Sequence, residues 1–220
     1  MKLSLGTAQF SSNYGISNKI GKPDQKTVFK ILKFAKEIGI KSIDTAQNYF
    51  HCEKIIKKTG LTNNFNINTK IDSKNADIFK VIQKSLKALR IPSIDILYVH
   101  DVTIFRDKKN GKLFLKNLEK IKKKKLIKKI GISIYTMAEF KFLIKNYKFD
   151  ALQIPINIFN QRFNNTFFIE NVEKKKIFVE ARSVFMQGLF FIDIKKLPNR
   201  LSVFKKKIIK LNKISNNNKI

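Results

Sequence analysis

Residues 65–100 read FNINTKIDSKNADIFKVIQKSLKALRIPSIDILYVH, and this stretch decides the fold. Phe65–Ile71 is a short apolar-rich run of strand length. Ile78, Phe79, Ile82, Leu86 and Leu89 then recur at helical spacing and form one face, which stops before Pro92. Ile94–Val99 is a second strand-length run. Strand, helix and strand in this order make a βαβ unit with parallel strands. The first strand ends at Lys70 and the second is followed at once by His100.

The same rhythm runs outward in both directions. Upstream, Leu3–Thr7 reads as a strand, Asp24 caps a helix along Val28, Ile31, Leu32, Ala35 and Ile38, and Gly39 stops it. Lys41–Thr45 is the next strand and Cys52–Lys58 a short helix. Downstream, helical segments at Leu113–Lys124, Met137–Asn146 and Thr166–Lys175 alternate with strands in Leu126–Ile134, Ala151–Ile156 and Ile177–Ser183. Leu201–Leu211 reads as the start of another helix, and 212–220 as a polar, frayed tail.

Seven strands alternating with helices predict an α/β fold with a parallel sheet, in one domain over 1–220. Two closures compete, an open doubly wound sheet and a (β/α)8 barrel. An open sheet would bring a glycine-rich dinucleotide fingerprint, and no GxGxxG occurs. Asp44, Lys70, His100, Ser133, Asn157 and Ser183 instead stand at the C-terminal ends of different strands. In a barrel these ends converge on one mouth, so the expected fold is a (β/α)8 TIM-type barrel. It is expected to be incomplete, with about seven of the eight strands, because nothing after Leu211 supplies an apolar strand and such barrels run to about 250 residues. Unpaired first and seventh strands would then favour self-association through an open barrel edge.

Composition bounds the function. The formal net charge is +30, and hydrophobic residues make up 43% of the chain, enough for a sizeable core. Of the 46 basic residues only five are arginines (Arg90, Arg106, Arg162, Arg182, Arg200). Nucleic-acid sites rely on the planar arginine fork, and the lysines fall at helix-surface spacings such as Lys30, Lys33 and Lys36. With Asn, Ile and Phe also abundant, the charge reads as the imprint of an AT-rich genome and implies no specific nucleic-acid partner. The runs at Lys122–Lys125 and Lys205–Lys207 allow salt-sensitive sticking to polyanions. One cysteine, Cys52, excludes an internal disulfide and reads as a small buried helix residue. No apolar stretch reaches the length of a membrane span, and the N-terminus is too polar for a secretory signal, so a cytoplasmic protein without a membrane partner or a metal site is expected.

Four residues carry chemistry. Asp44 ends the second strand, Tyr49 follows on the loop, Lys70 ends the third strand and His100 the fourth. A phenol titrates near 10, too high to exchange protons freely at neutrality. An ammonium beside it favours phenolate, a carboxylate keeps the ammonium charged, and an imidazole can hydrogen-bond a reacting carbonyl. Asp–Lys–Tyr–His is thus a sensible proton-donor unit for reducing C=O. Each residue alone is commonplace at a strand end. Their gathering at one edge of three consecutive strands is not.

The sequence resembles the aldo-keto reductase family in LGTAQF (5–10), GIKSIDTAQNYFHCEKII (39–56), NTK (68–70), DILYVHD (95–101), LIKKIGIS (126–133), LQIPINIFNQR (152–162) and EARSVFMQGLF (180–190). The resemblance implies NAD(P)H-dependent conversion between a small-molecule carbonyl and an alcohol. It places the proton donor at Tyr49, its pKa-lowering lysine at Lys70, the charge partner at Asp44 and a substrate-orienting residue at His100. It also implies a cofactor site at Gly6, Thr7, Ser133, Gln153, Arg182, Ser183, Gln187, Gly188 and Leu189. Ser133 and Gln153 would hold the nicotinamide carboxamide, while Ile134 stands where an Asn is usual. Arg182 stands where an aromatic residue stacks on the nicotinamide. Ser183 and the backbone at Gln187, Gly188 and Leu189 would approach the pyrophosphate. NADP(H) is the expected cofactor, with NAD(H) the alternative, and ARSVFMQGLF points to a sugar-like carbonyl substrate. The competing expectation is a truncated, weak or inactive barrel that serves as a binding or interaction protein.

Overall fold

The computed structural model describes residues 3–72 and 77–218. Seven strands form one sheet in the order β1 (Ser4–Gly6), β2 (Ser42–Asp44), β3 (Asn66–Ile71), β4 (Ile94–Val99), β5 (Ile127–Ser133), β6 (Ala151–Pro155) and β7 (Phe178–Arg182). Every pairing is parallel, and Gly6 lies beside Asp44, Lys70 beside Tyr98, and Ser133 beside Gln153. Helices α1 (Gln25–Glu37), α2 (Cys52–Lys58), α3 (Ile78–Leu89), α4 (Lys108–Lys123), α5 (Met137–Asn146) and α6 (Thr166–Lys174) fill the successive crossovers. The sheet is curled, because Asn68 of β3 donates to Glu180 of β7 at 3.1 Å and Gln153 of β6 donates to Asp44 of β2 at 3.0 Å. Seven strands of a (β/α)8-type barrel are therefore in place.

The period of two along each strand separates the layers. Ile43, Ile67, Leu97, Val99, Ile130, Ile132, Leu152 and Ile154 join the main core under the helices. There they meet Val28, Leu32, Ile56, Ile82, Leu118, Phe140 and Leu143. Each such side chain stabilises the fold by about 1.5–3 kcal/mol relative to exposure. The inner face is different. Ile96, Tyr98 and Ala151 form a small cluster of their own, and Lys70, Asn68, Gln153 and Glu180 are buried with them. Gly131 makes room for this layer, since a Cβ there would run into the Tyr98 ring.

Helix starts follow their caps. Asp24 accepts from Thr27 N, Asp77 from Lys80 N, Asp107 from Asn110 N, and Thr136 with Glu139 completes a capping box. Because Asp107 caps it, α4 begins five residues before the expected Leu113. After β7 the described chain makes 3-10 turns and then α7 (Lys205–Asn218). The expected frayed tail is thus helical through Asn218. Ile208, fully buried against Leu189 and Ile192, anchors the first turns, and propagation from an existing turn costs little. Residues 219 and 220 lie outside the described residues. Among those described, no helix is long and apolar enough to cross a membrane.

Candidate active site

The curled sheet brings the ends of β2, β3 and β4 together. Lys70 is 2% exposed, and its ammonium donates to Asp44 Oδ1 at 2.6 Å and to the Thr45 carbonyl at 3.0 Å. Burial of this pair requires such partners, because an unmatched charge at that depth would cost several kcal/mol. Tyr49 reaches the same point from the loop after β2, with Lys70 Nζ 5.4 Å from its ring centroid. His100 follows β4, and its Nδ1 lies 3.0 Å from Asn48 Nδ2. An amide nitrogen only donates, so Nδ1 accepts and the ring proton sits on Nε2.

The loop carrying Tyr49 is pinned from below. Gln47 donates to the Val81 carbonyl at 2.7 Å and to Ser85 Oγ at 2.8 Å, while its own N–H bonds the Lys70 carbonyl at 3.1 Å. Behind it the buried Glu53 carboxylate accepts from Thr69 Oγ1 at 2.8 Å and from Ser85 Oγ at 2.9 Å. Cys52 is buried, as its helical position suggested, and its thiol donates to the Thr7 carbonyl at 3.3 Å. Burial pushes that thiol above its ordinary range.

The electrostatics correct one expectation. Tyr49 is not shifted down. Burial first, and then the Asp44 carboxylate, raise its hydroxyl well above the ordinary value of 10.0, with Arg182 opposing. The reason is geometric: the Lys70 charge is already matched by Asp44 and stands off the ring. Tyr49 is therefore held as the protonated phenol. His100 is shifted the other way. Burial, then Lys70 and Arg182, lower it from 6.5, against a smaller pull from Asp72 and Asp101, so its neutral form persists into mild acid.

The other side of the mouth holds the residues expected around a cofactor. Ser133 and Gln153 stand side by side on β5 and β6, each 1% exposed, and Ser133 Oγ and Gln153 Oε1 have no hydrogen-bond partner among the described residues. Buried polar atoms are seldom left unpaired. Ser4 Oγ, Ser11 Oγ, Thr45 Oγ1 and Tyr98 Oη share this state, and Ser133 and Gln153 differ from them in standing side by side at the ends of adjacent strands. Arg182 lies at the end of β7 with its guanidinium 4.1 Å from the Tyr135 ring centroid and 3.4 Å from the Ile134 carbonyl. Gly6 pairs with Asp44, and the Thr7 hydroxyl beneath donates to the Asp44 carbonyl at 3.0 Å.

Ser183 and Gln187 take left-handed backbone with φ of 58° and 57°. The Gln187 carbonyl accepts from Ile16 N at 2.8 Å, and Gly188, at φ 84°, passes so close to Ser17 that a Cβ would collide with its hydroxyl. The loop after β1 is thereby tied to the loop after β7. Leu189 points away from the mouth into a separate core with Ile192 and Ile208. The four candidate catalytic residues, Ser133, Gln153 and Arg182 thus share one mouth, while the side chains of Thr7 and Leu189 are fully buried.

Sequence reasoning missed Asn48, Asn68, Tyr98 and Glu180. The last three follow from alternation along strands whose next inward residues, Lys70, His100 and Arg182, had been singled out. Applying the period of two inward from those residues would have found them. Nothing local marks Asn48.

The sequence matches the model of the Aldo/keto reductase family over residues 2–220. No curated protein matches it. Among solved structures, an aldo-keto reductase from Bacillus halodurans in its holo form aligns with TM-score 0.71 at 20% identity, over 86% of this chain and 64% of that one. One from Klebsiella pneumoniae in complex with NADPH aligns with TM-score 0.66 at 15% identity, over 86% of this chain and 68% of that one. A glycerol dehydrogenase from Gluconobacter oxydans aligns with TM-score 0.65 at 23% identity, over 89% of this chain and 62% of that one. The chain thus spans about two-thirds of the length of these three, and at such identities the likeness is one of fold.

Proposed function

The chain belongs to the aldo/keto reductase family, and we propose that it reduces the carbonyl of a small molecule with NADP(H) as its cofactor. One juxtaposition carries this reading. A protonated phenol backed by the Lys70–Asp44 pair shares a mouth with two buried, unpartnered polar atoms on β5 and β6.

The residues fit the cofactor. Gln153 Oε1 is an acceptor and Ser133 Oγ can donate, the complement of a primary carboxamide. Arg182 is cationic and planar at the same rim. Aldo-keto reductases described as complexes with NADPH or with NADP support the choice of phosphorylated dinucleotide. When bound, NADPH supplies the hydride that reaches the carbonyl carbon.

Every other part falls to the chain. Tyr49 Oη gives its proton to the carbonyl oxygen as negative charge builds there. Its raised pKa keeps Tyr49 protonated through the neutral range and makes it a weaker acid, so the transfer is drawn by the alkoxide charge that builds on the substrate oxygen. His100 donates from Nε2 to the same oxygen and fixes its position, with Nδ1 held by Asn48. The phenolate left behind is favoured by the Arg182 cation. Asp44 holds the Lys70 side chain in place through the 2.6 Å contact. The substrate we propose is a sugar-like aldehyde or ketone, supported by the ARSVFMQGLF motif and by the aromatic Tyr135 beside the Arg182 guanidinium at the rim.

The test is NADPH binding followed by turnover on a panel of aldehydes and ketones. Wild type and Tyr49→Phe should bind NADPH alike, and only wild type should turn over, with a loss of at least about 10²-fold in the variant. A folded wild type that does not bind NADPH would overturn the proposal.

A further inference from the structure

Gln153 sits between two carboxylates. Its amide nitrogen donates to Asp44 Oδ1 at 3.0 Å and to Glu180 Oε2 at 3.1 Å. Glu180, 8% exposed on β7, is itself held by Asn68, whose amide nitrogen donates to Oε1 at 3.1 Å. It has no basic partner within ion-pair distance among the described residues. A carboxylate oxygen only accepts. Rotating the Gln153 amide by half a turn would set Oε1 against two acceptors and forfeit both bonds. The two carboxylates therefore decide which end of the amide is turned away from them, and that end is Oε1, which has no partner among the described residues.

We infer that Glu180 is a positioning residue that polarises the cofactor site: by accepting one N–H of Gln153 while Asp44 accepts the other, it leaves the Gln153 amide with an acceptor and no donor to offer a ligand. The inference rests on the functional reading above and adds a selectivity to it. A cofactor whose ring substituent carries an N–H donor satisfies Gln153 Oε1. One whose substituent only accepts leaves that atom buried and unpaired, and discrimination on this ground is large when the site is dry. Asp44 alone is a weaker guide, because its Oδ1 is shared with the Lys70 ammonium. The second carboxylate makes the orientation one-sided.

Calorimetric titration with oxidised NADP and with its 3-acetylpyridine analogue, in which a methyl ketone replaces the carboxamide, reads this directly. The analogue keeps the carbonyl and loses the N–H donor. Wild type should bind it about 10-fold more weakly than NADP. Glu180→Gln places an amide next to Gln153 that can donate as well as accept, so Gln153 can turn, and the ratio should fall to about 2- to 3-fold. Glu180→Asp, which keeps the carboxylate but withdraws it by one methylene, should give an intermediate ratio and serves if Glu180→Gln fails to fold. A structural role alone would weaken both ligands equally and leave the ratio unmoved.

A wild-type ratio near one overturns the inference, as does a full ratio retained in a folded Glu180 variant. If folded wild type binds neither ligand, the functional reading falls and takes the inference with it. Binding of NADP without discrimination leaves the functional reading standing and removes only the role of Glu180.

Discussion

The wall of β2, β3 and β4 and the wall of β5, β6 and β7 are built on opposite terms. On the first, the charged groups and most polar ones find each other within the protein: Lys70 with Asp44, Asn48 with His100, Glu53 with Thr69 and Ser85, and Gln47 with Ser85, while Thr45 Oγ1 and Tyr98 Oη have no partner among the described residues. On the second, Ser133 Oγ and Gln153 Oε1 stay unpaired among the described residues, and Ser183, Met186 and Gln187 beyond β7 sit in left-handed backbone, against His51 alone in the loop after β2. Such backbone costs about 1 kcal/mol or more per residue and persists where surrounding contacts impose it. The difference teaches that folding alone pairs the charged groups of the first wall. On the second, two adjacent buried oxygens are left for the proposed cofactor to engage.

Removing a partner should therefore cost stability on the first wall and affinity on the second. The largest effect is expected from Lys70→Met, which strands the Asp44 carboxylate. Thermal or denaturant unfolding should show a loss of about 3–5 kcal/mol, with turnover abolished. A variant as stable as wild type would break the comparison at its stronger end. Gly131→Ala probes the seam, since its methyl group collides with the Tyr98 ring in the inner layer. A loss of about 1–3 kcal/mol is expected from overpacking, measured in the same way. Ser133→Ala sharpens the contrast. It removes a buried hydroxyl that has no partner, so the melting temperature should hold or rise slightly, while the dissociation constant for NADPH should increase about 5- to 10-fold. A fall in stability with unchanged affinity would reverse the assignment of the two walls.

The smallest effect is in the pH profile. With Tyr49 held above 10.0, carbonyl reduction should stay level on the alkaline side up to that pH. Alcohol oxidation needs the phenolate and should rise with pH over the same range. The lowered pKa of His100 places the acid limb below 6.5. The same shift bears on stability: a histidine whose folded pKa is depressed binds its proton less readily when folded, so its contribution is lost as pH falls through the unfolded value toward the folded one. An acid limb above 6.5 would show that His100 gains a carboxylate partner in the working state.

The fold was legible because its units are local. Strand Ile94–Val99 and helices Cys52–Lys58 and Met137–Asn146 occupy the very residues that periodicity marked, and Asp44, Lys70 and His100 fell at strand ends as expected. Their meeting at one mouth was legible too, because a parallel βαβ succession leaves little choice of where C-terminal strand ends go. The electrostatics of the mouth were not. That Tyr49 is pushed up, not down, depends on how deeply the loop buries it and on Lys70 already being matched, and neither quantity is written in a spacing.

The amino-acid order determined the α/β alternation, the parallel sheet and the set of residues available at its edge, because periodicity, caps and strand-end chemistry act over a few residues. Tertiary structure decided which of those residues touch. Asn68 and Glu180 are 112 positions apart, and Asp44 and Gln153 are 109 apart. Only curling the sheet brings such pairs within hydrogen-bond distance, and a hydrogen bond decays over tenths of an ångström. The one-sided orientation of Gln153 and the unpaired atoms beside it are therefore properties of the closed inner layer, which no stretch of the chain carries by itself.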